Sequence, residues 1–425
     1  MAPKSARSRD PRDAPGAVPV LLLIVFLSLI GFGIVIPLLP FFASVFQAEA
    51  WQITLLFATF SAGQFLGELY WGRLSDRIGR RPVLLITIFA SALGYLALAY
   101  SPNVWIAILA RGAAGFFSGN MGTIQGYIVD VTPRAKLPGR LGLVGSAFGI
   151  GFVVGPSIGG LLARPELGAA GFRPPLLVAA CLCVLAGLGI IAFVRESRLG
   201  PKATGKGPNP LAAIGQSLRN PVLAILLSST FAMFCAFSAM WAVLGLWGEA
   251  RFGWGPREIG LVMAATGVAA ALAQGVLSGL LVRRIGAGWT IVAGLGLTSV
   301  GLIVQAFSQA PWIAIACIVA AVAGHASAQP AMTSLVSLAG PADRQGETLG
   351  ASMATGALAR VAGPVLAGFL FSGVGAWSPI VFSAIGMLPA AWLGWLGARA
   401  LIARGGPEKP PVPAFTDEIP PANVQ

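Results

Sequence analysis

Apolar residues run along this chain in blocks of bilayer length, each closed by a short polar turn, and about 20 such residues suffice to cross a membrane as a helix. The opening MAPKSARSRDPRDAPG is polar and basic, and an apolar run from Val18 to about Phe46 follows it. That run is too long for a signal-peptide core and has no small-residue cleavage site, so it reads as a retained first span. The remaining blocks predict spans over 52–72, 83–100, 104–128, 140–163, 174–194, 221–247, 258–281, 289–308, 311–337, 348–373 and 378–398. The expected fold class is therefore an all-α membrane protein of twelve transmembrane helices. The longest polar interruption, within 196–220, is rich in Gly, Pro and Lys and reads as a linker. It divides a cytoplasmic N-terminal tail (1–17) and a six-helix bundle (18–195) from a second bundle (221–403) and a Pro-rich, disordered cytoplasmic tail (404–425).

The halves repeat. Trp105-Ile-Ala-Ile and Trp312-Ile-Ala-Ile stand 207 residues apart, as do Gly72 of GRLSDRIG and Gly279 of GLLVRRIG. Leu141-Gly142 and Leu349-Gly350 stand 208 apart, as do GPSIGG from Gly155 and GPVLAG from Gly363. An offset that stays at 207–208 along the chain implies a duplicated six-helix unit in a single orientation, with a pseudo-two-fold axis along the membrane normal. A cavity between such halves can open to either side in turn.

Composition agrees with lipid as the solvent: 56% of the 425 residues are hydrophobic and only 10% charged, too few charges to cover a soluble surface. The net charge of +13 would suit a nucleic-acid partner, but its distribution argues for topology instead. Of the 28 Lys and Arg, 22 fall on the side of the termini, four on the opposite side, and Arg111 and Arg360 lie within spans. This positive-inside pattern predicts that both termini are cytoplasmic. The four cysteines sit inside apolar stretches, where thiols are inert, so neither disulfides nor a metal is expected.

Polar residues that survive inside spans are candidates for function, since a charge at mid-bilayer costs about 3 kcal/mol on insertion scales. Ser61, Gln64, Glu68 and Trp71 form one helical stripe, and Glu68 is the acid nearest mid-membrane. It is either a proton carrier or a structural hydrogen-bonding group. Arg111 shares a face with Ser118 and Gln125, and its guanidinium suits a substrate anion, a response to a nearby carboxylate, or an interhelical anchor. Asn120 falls on the other side of that helix. In span ten His325, the only histidine, steps to Gln329 and Thr333 by fours, as a second titratable candidate or a packing residue. In span seven Phe231, Phe234, Ser238 and Trp241 make an aromatic stripe suited to flat, amphipathic, cationic or neutral molecules, or to lipid. Arg360, ahead of Gly363-Pro364, binds substrate or bridges the halves.

The loop GRLSDRIGRRPVLL, carrying Gly72, Asp76, Arg77, Gly79, Arg80 and Arg81 on the turn between spans two and three, resembles the signature loop of the major facilitator superfamily. The resemblance implies a gate on the cytoplasmic side, with Asp130 at the end of span four as a partner of Asp76 and Arg80. GFGIVIPLLP from Gly31, LARGAAGFFSGN around Arg111, RFGWGPREIG from Arg251 and AGHASAQPAM in span ten are similar to the tetracycline and multidrug/proton antiporter branch. GFVVGPSIGG, with Gly151, Gly155, Pro156, Gly159 and Gly160, resembles the antiporter glycine-proline motif, associated with sealing the cavity; its spacing also permits close helix packing. The first-helix motif of that branch opens with an aspartate where this chain has Ser28, and span nine has no acid.

These features imply a secondary transporter in the cell inner membrane, with no cofactor and no enzymatic motif. Its expected partners are a small-molecule substrate, protons and membrane lipid, without nucleic acid, and it is expected to be a monomer. Proton-coupled antiport conferring antibiotic resistance by drug efflux is the leading expectation. A same-fold carrier of a lysolipid, sugar or metabolite is the alternative, and a non-transporting receptor or scaffold a remote one.

Overall fold

The computed structural model describes residues 17–132, 137–197, 210–341 and 344–404. The N-terminal tail to residue 16, residues 198–209 of the expected linker and residues 405–425 of the tail lie outside the described residues. Every described element is helical: α1 (Ala17–Val35), α2 (Leu39–Ser44), α3 (Ala50–Ile78), α4 (Arg80–Ala99), α5 (Val104–Ser118), α6 (Met121–Val131), α7 (Leu137–Leu162) and α8 (Arg173–Phe193). After these come α9 (Pro210–Ser217), α10 (Pro221–Phe252), α11 (Pro256–Leu272), α12 (Ser278–Phe307), α13 (Pro311–Ala339), α14 (Gln345–Gly373) and α15 (Ser378–Ala403). Inside lipid only the helix satisfies every backbone group within one segment, which is why loops are confined to the ends.

All twelve expected spans are helical, and nine helical stretches among the described residues are long and apolar enough to cross a membrane. One of these, Pro256–Phe307, has 52 residues and contains two expected spans; it breaks at Gly286, whose φ of 78° is open to glycine and strained for other residues. The two expected spans outside the nine are α3, which carries Glu68 and the charged motif, and α5–α6, which is interrupted at Gly119-Asn120.

Two boundaries depart from the sequence expectation. The signature motif does not lie on a turn: α3 continues through Ile78, and the turn contracts to Gly79 alone, at φ 104°. Beyond the membrane the charged residues cost nothing on a helix, and they gain fixed partners there. The expected linker includes a short helix, α9, packed on α14. Its first residues, Glu196 and Ser197, are tied to the gate described below.

The helices sort into two sets by packing. In the first, α1 lies against α7 and α8, α3 against α5, and α4 against α5 and α8; in the second, α10 lies against α14 and α15, and α12 against α13 and α15. The sets meet mainly through α7 on α11 and α3 on α14. Close approaches across that boundary gather at the end away from the termini. There a Cβ on Gly160 would overlap the Pro256 carbonyl, one on Gly260 the Pro156 carbonyl, and one on Gly368 would meet Trp51 and Thr54. At the termini end, among the described residues, Gly72, Gly142, Gly275 and Gly350 face open space.

Within the first set Gly155 and Gly159 bring α7 against the backbone of Gly33 and Ile34 in α1, so the glycine-proline motif is a packing seam whatever else it does. Gly159→Val should cost about 1–3 kcal/mol through overpacking, read as a lower melting temperature of the purified protein in detergent. Gly142→Ala, facing open space, should leave the melting temperature unchanged.

Candidate functional site

A cavity of about 330 Å³ lies between the two sets. Phe32, Phe57, Phe60, Ser61, Gln64, Arg111 and Phe152 line it from the first set. Phe234, Phe237, Ser238, Trp241, Arg360 and Pro364 line it from the second. Contacts among the lining residues, and from them to the helices behind, build its walls. Phe32 and Phe60 lie with ring centroids 5.2 Å apart, Phe237 meets Trp241 edge-on at 5.9 Å, and Ser238 donates to the Cys235 and Ala359 carbonyls, which ties α10 to α14. A smaller pocket of about 100 Å³ adjoins, sharing Phe32, Phe60 and Gln64 and lined also by Ser28, Tyr95, Ser118 and Asn120.

Two cations face the larger cavity in different electrostatic settings. Arg360 lies 5.6 Å from the Phe234 ring centroid and is attracted by Glu68 across the α3–α14 boundary, without a direct ion pair. Arg111 is 2% exposed, sits 4.2 Å from the Phe60 ring centroid, and leaves Nε and Nη1 without a hydrogen-bond partner. No carboxylate among the described residues pairs with it.

The structure therefore brings Gln64, Arg111, Phe234, Ser238, Trp241 and Arg360 to one cavity, with Ser118 in the adjoining pocket. Glu68 lines neither cavity and sits beside them, half-buried. Gln125 is exposed and lines neither, and Asn120, placed on the far face by uniform helical spacing, is buried in the smaller pocket, where its Nδ2 donates to Thr87 at 2.7 Å. The reason is the break at Gly119, packed against the α3 backbone at Gln64 to Glu68, which resets the helical phase of everything after it. His325 stands behind the wall: its ring stacks on Phe237 with centroids 3.6 Å apart, and Nδ1 is buried without a partner. Gln329 accepts a hydrogen bond from Gln274 instead, at a single π-helical turn (Ala273–Leu277). Trp71 donates to the Phe116 carbonyl and Phe231 is exposed, so neither reaches the cavity. Sequence reasoning missed Phe32, Phe57, Phe60, Phe152 and Phe237, because phenylalanine is as common on lipid-facing surfaces and only packing separates the two.

At the termini end Arg80 gathers a charged cluster from the signature motif. Its guanidinium contacts Asp76 at 3.0 Å, Asp130 at 3.3 Å and Ser75 at 2.6 Å, and Ser197 donates to Asp130 at 3.1 Å. Glu196, absent from the sequence expectation, accepts hydrogen bonds from the backbone N–H groups of Arg80 (2.9 Å) and Arg81 (3.1 Å). It caps α4 from 116 residues away, putting negative charge at a helix N-terminus. No local spacing reveals such a cap. Arg81 donates to the Ile191 carbonyl at 2.9 Å, fastening α4 to the end of α8.

A helical membrane bundle with a central cavity between two helix sets, and a charged cluster at one end, has the form of a membrane transporter rather than an enzyme. The chain belongs to the Major Facilitator Superfamily, whose family profile matches residues 21–256 and 229–421. It is 32% identical to the tetracycline resistance protein, class C, of Escherichia coli over 82% of this chain and 88% of that protein. It is 25% identical to multidrug resistance protein 2 of Bacillus subtilis (strain 168), over 83% of this chain and 88% of that protein. Among solved structures, the inward-facing, unoccupied form of a bacterial homolog to the human lysosomal transporter Spinster superposes with a TM-score of 0.75. It covers 96% of this chain and 100% of that one at 16% identity, a likeness of fold alone.

Removing the Glu196 cap should loosen the gate. Glu196→Ala leaves two N–H groups of α4 unpaired and should cost about 0.5–2 kcal/mol, the range for lost helix caps, measured as a fall in melting temperature that Glu196→Gln partly restores.

Proposed function

We propose that this chain is a proton-coupled exporter of amphipathic drugs that works by alternating access, the two helix sets (18–195 and 221–403) rocking about the central cavity. The observation that carries the reading is the aromatic cavity between the sets, lined by Arg360 from one set, with half-buried Glu68 on the other set outside its wall. With Glu68 ionised, its attraction to Arg360 holds α3 and α14 together; protonation removes it, so a proton alters the contact on which the two sets move. The positive-inside pattern supports cytoplasmic termini, and similarity to bacterial resistance proteins supports an inner membrane. The open termini end and the packed opposite end then correspond to an inward-facing state, ready to load substrate from the cytoplasm.

The cycle follows from that geometry. Substrate enters among the aromatic rings, the cytoplasmic end closes on the Asp76–Arg80–Asp130 gate, and the seam of Gly160 with Pro256 parts on the far side. There substrate leaves and Glu68 takes up a proton, which it delivers inside when the bundle reopens. The membrane potential supplies about 2.3 kcal/mol per charge at 100 mV. Similarity to tetracycline and multidrug resistance proteins supports the substrate class and the coupling. Ser28, whose hydroxyl donates to the Ile24 carbonyl at 3.0 Å within α1, stands where that branch carries an acid, and it favours the second reading: an uncoupled carrier of another solute.

The two readings separate in cells loaded with tetracycline. Wild type should hold accumulation low, with a protonophore erasing the difference, and Glu68→Gln should lose the gradient of up to about 50-fold that 100 mV sustains per charge while expression is unchanged. Full proton-driven efflux in Glu68→Gln overturns the coupling assignment, and wild-type accumulation equal to that of cells lacking the protein overturns the drug.

A further inference from the structure

We propose that the central cavity selects flat amphipathic organic anions, with Arg111 as the group that binds the negative end. The inference deepens the export reading by naming the charge of its substrates, and it rests on the same cavity. Cations line this cavity and carboxylates do not: Arg111 and Arg360 both face it, while Glu68 lies outside its wall. A cavity built for cationic drugs would have the opposite sign.

The two arginines differ in what they still need. Arg360 has Glu68 as its counter-charge. Arg111 has none among the described residues: it is 98% buried, its Nε and Nη1 have no hydrogen-bond partner, and its guanidinium lies over the Phe60 ring at 4.2 Å. An uncompensated buried cation with free donors is a costly arrangement, and a ring face offsets only part of that cost. A carboxylate, enolate or sulfonate supplies both the charge and a bidentate acceptor for a guanidinium. Phe32 and Phe60 on one side and Phe237 and Trp241 on the other leave the rest of the ligand an aromatic slot. The occupant is therefore a fused-ring body of modest size with a delocalised anionic edge directed at α5. Arg111 is placed for this by Phe60, and Phe60 by its packing on Phe32.

The test compares two xanthene dyes of similar size and opposite charge, anionic fluorescein and cationic rhodamine 6G. Each is titrated by fluorescence anisotropy against the full-length protein in phosphatidylcholine nanodiscs, with empty nanodiscs subtracted. Wild type should bind fluorescein at least about tenfold more tightly than rhodamine 6G, the worth of a charge-assisted hydrogen bond. Arg111→Gln should abolish that preference while leaving rhodamine 6G binding in place, which shows the cavity still formed. Arg111→Lys, which keeps the charge, should retain a preference for fluorescein. Equal or tighter binding of rhodamine 6G by wild type overturns the proposal, as does an undiminished fluorescein preference in Arg111→Gln or its loss in Arg111→Lys. No proton gradient enters the measurement, so these outcomes are independent of whether Glu68 couples transport.

Discussion

Lipid offers no hydrogen bonds and no counter-ions, and almost everything about this molecule follows from that constraint. Its backbone has one economical solution, the helix, and its charges must either leave the membrane or find partners inside the protein. Most leave, which produces the charge asymmetry of the loops. The few that stay are Glu68, Arg111 and Arg360, and they gather at or beside one cavity. Glu68 and Arg360 stand on facing helices of the two sets, so each offsets part of the other's charge across the boundary. Arg111 lies over the Phe60 ring and has no carboxylate partner among the described residues.

The contacts between the sets are as unequal as the charges. Away from the termini, glycines let backbones approach to contact, at Gly160 with Pro256 and at Gly260 with Pro156. At the termini end, facing glycines stand clear, and the ionic cluster centred on Arg80 ties together helices of the first set only. A backbone seam in lipid is held by packing alone and a charged cluster by water-accessible pairs, so the two ends respond to different perturbations. Glu196 joins that cluster: it lies where the first helix set runs into the connection to the second, and its carboxylate accepts hydrogen bonds at the N-terminus of α4. The connection between the sets is thereby anchored to the gate.

Some of the site was legible before the fold. The stripe of Ser61 and Gln64, Arg111, and the Phe234–Ser238–Trp241 series reach the cavity because each lies on an uninterrupted helical stretch, where a spacing of three or four keeps residues on one face. Spacing failed where the helix did. The break at Gly119 carried Asn120 into a pocket and Gln125 out to the surface, and the π turn at Ala273–Leu277 drew Gln329 toward Gln274. His325 sits on an intact helix but a full ring behind the wall, a radial displacement to which periodicity is blind.

The sequence by itself determined the solvent, the helical class, the family and the duplicated plan, because each depends on quantities additive along the chain: apolar length, charge per loop, and a constant repeat offset. Tertiary structure decided which end is packed and which stands open, which aromatic rings face a ligand rather than lipid, and that Glu196 belongs to the gate. It also decided the sign of the cavity, since Glu68 and Arg111 are equally conspicuous charges in the sequence. Whether each finds an opposite charge depends on the helix packed against it, and only the fold brings Arg360 to one and leaves the other unpaired.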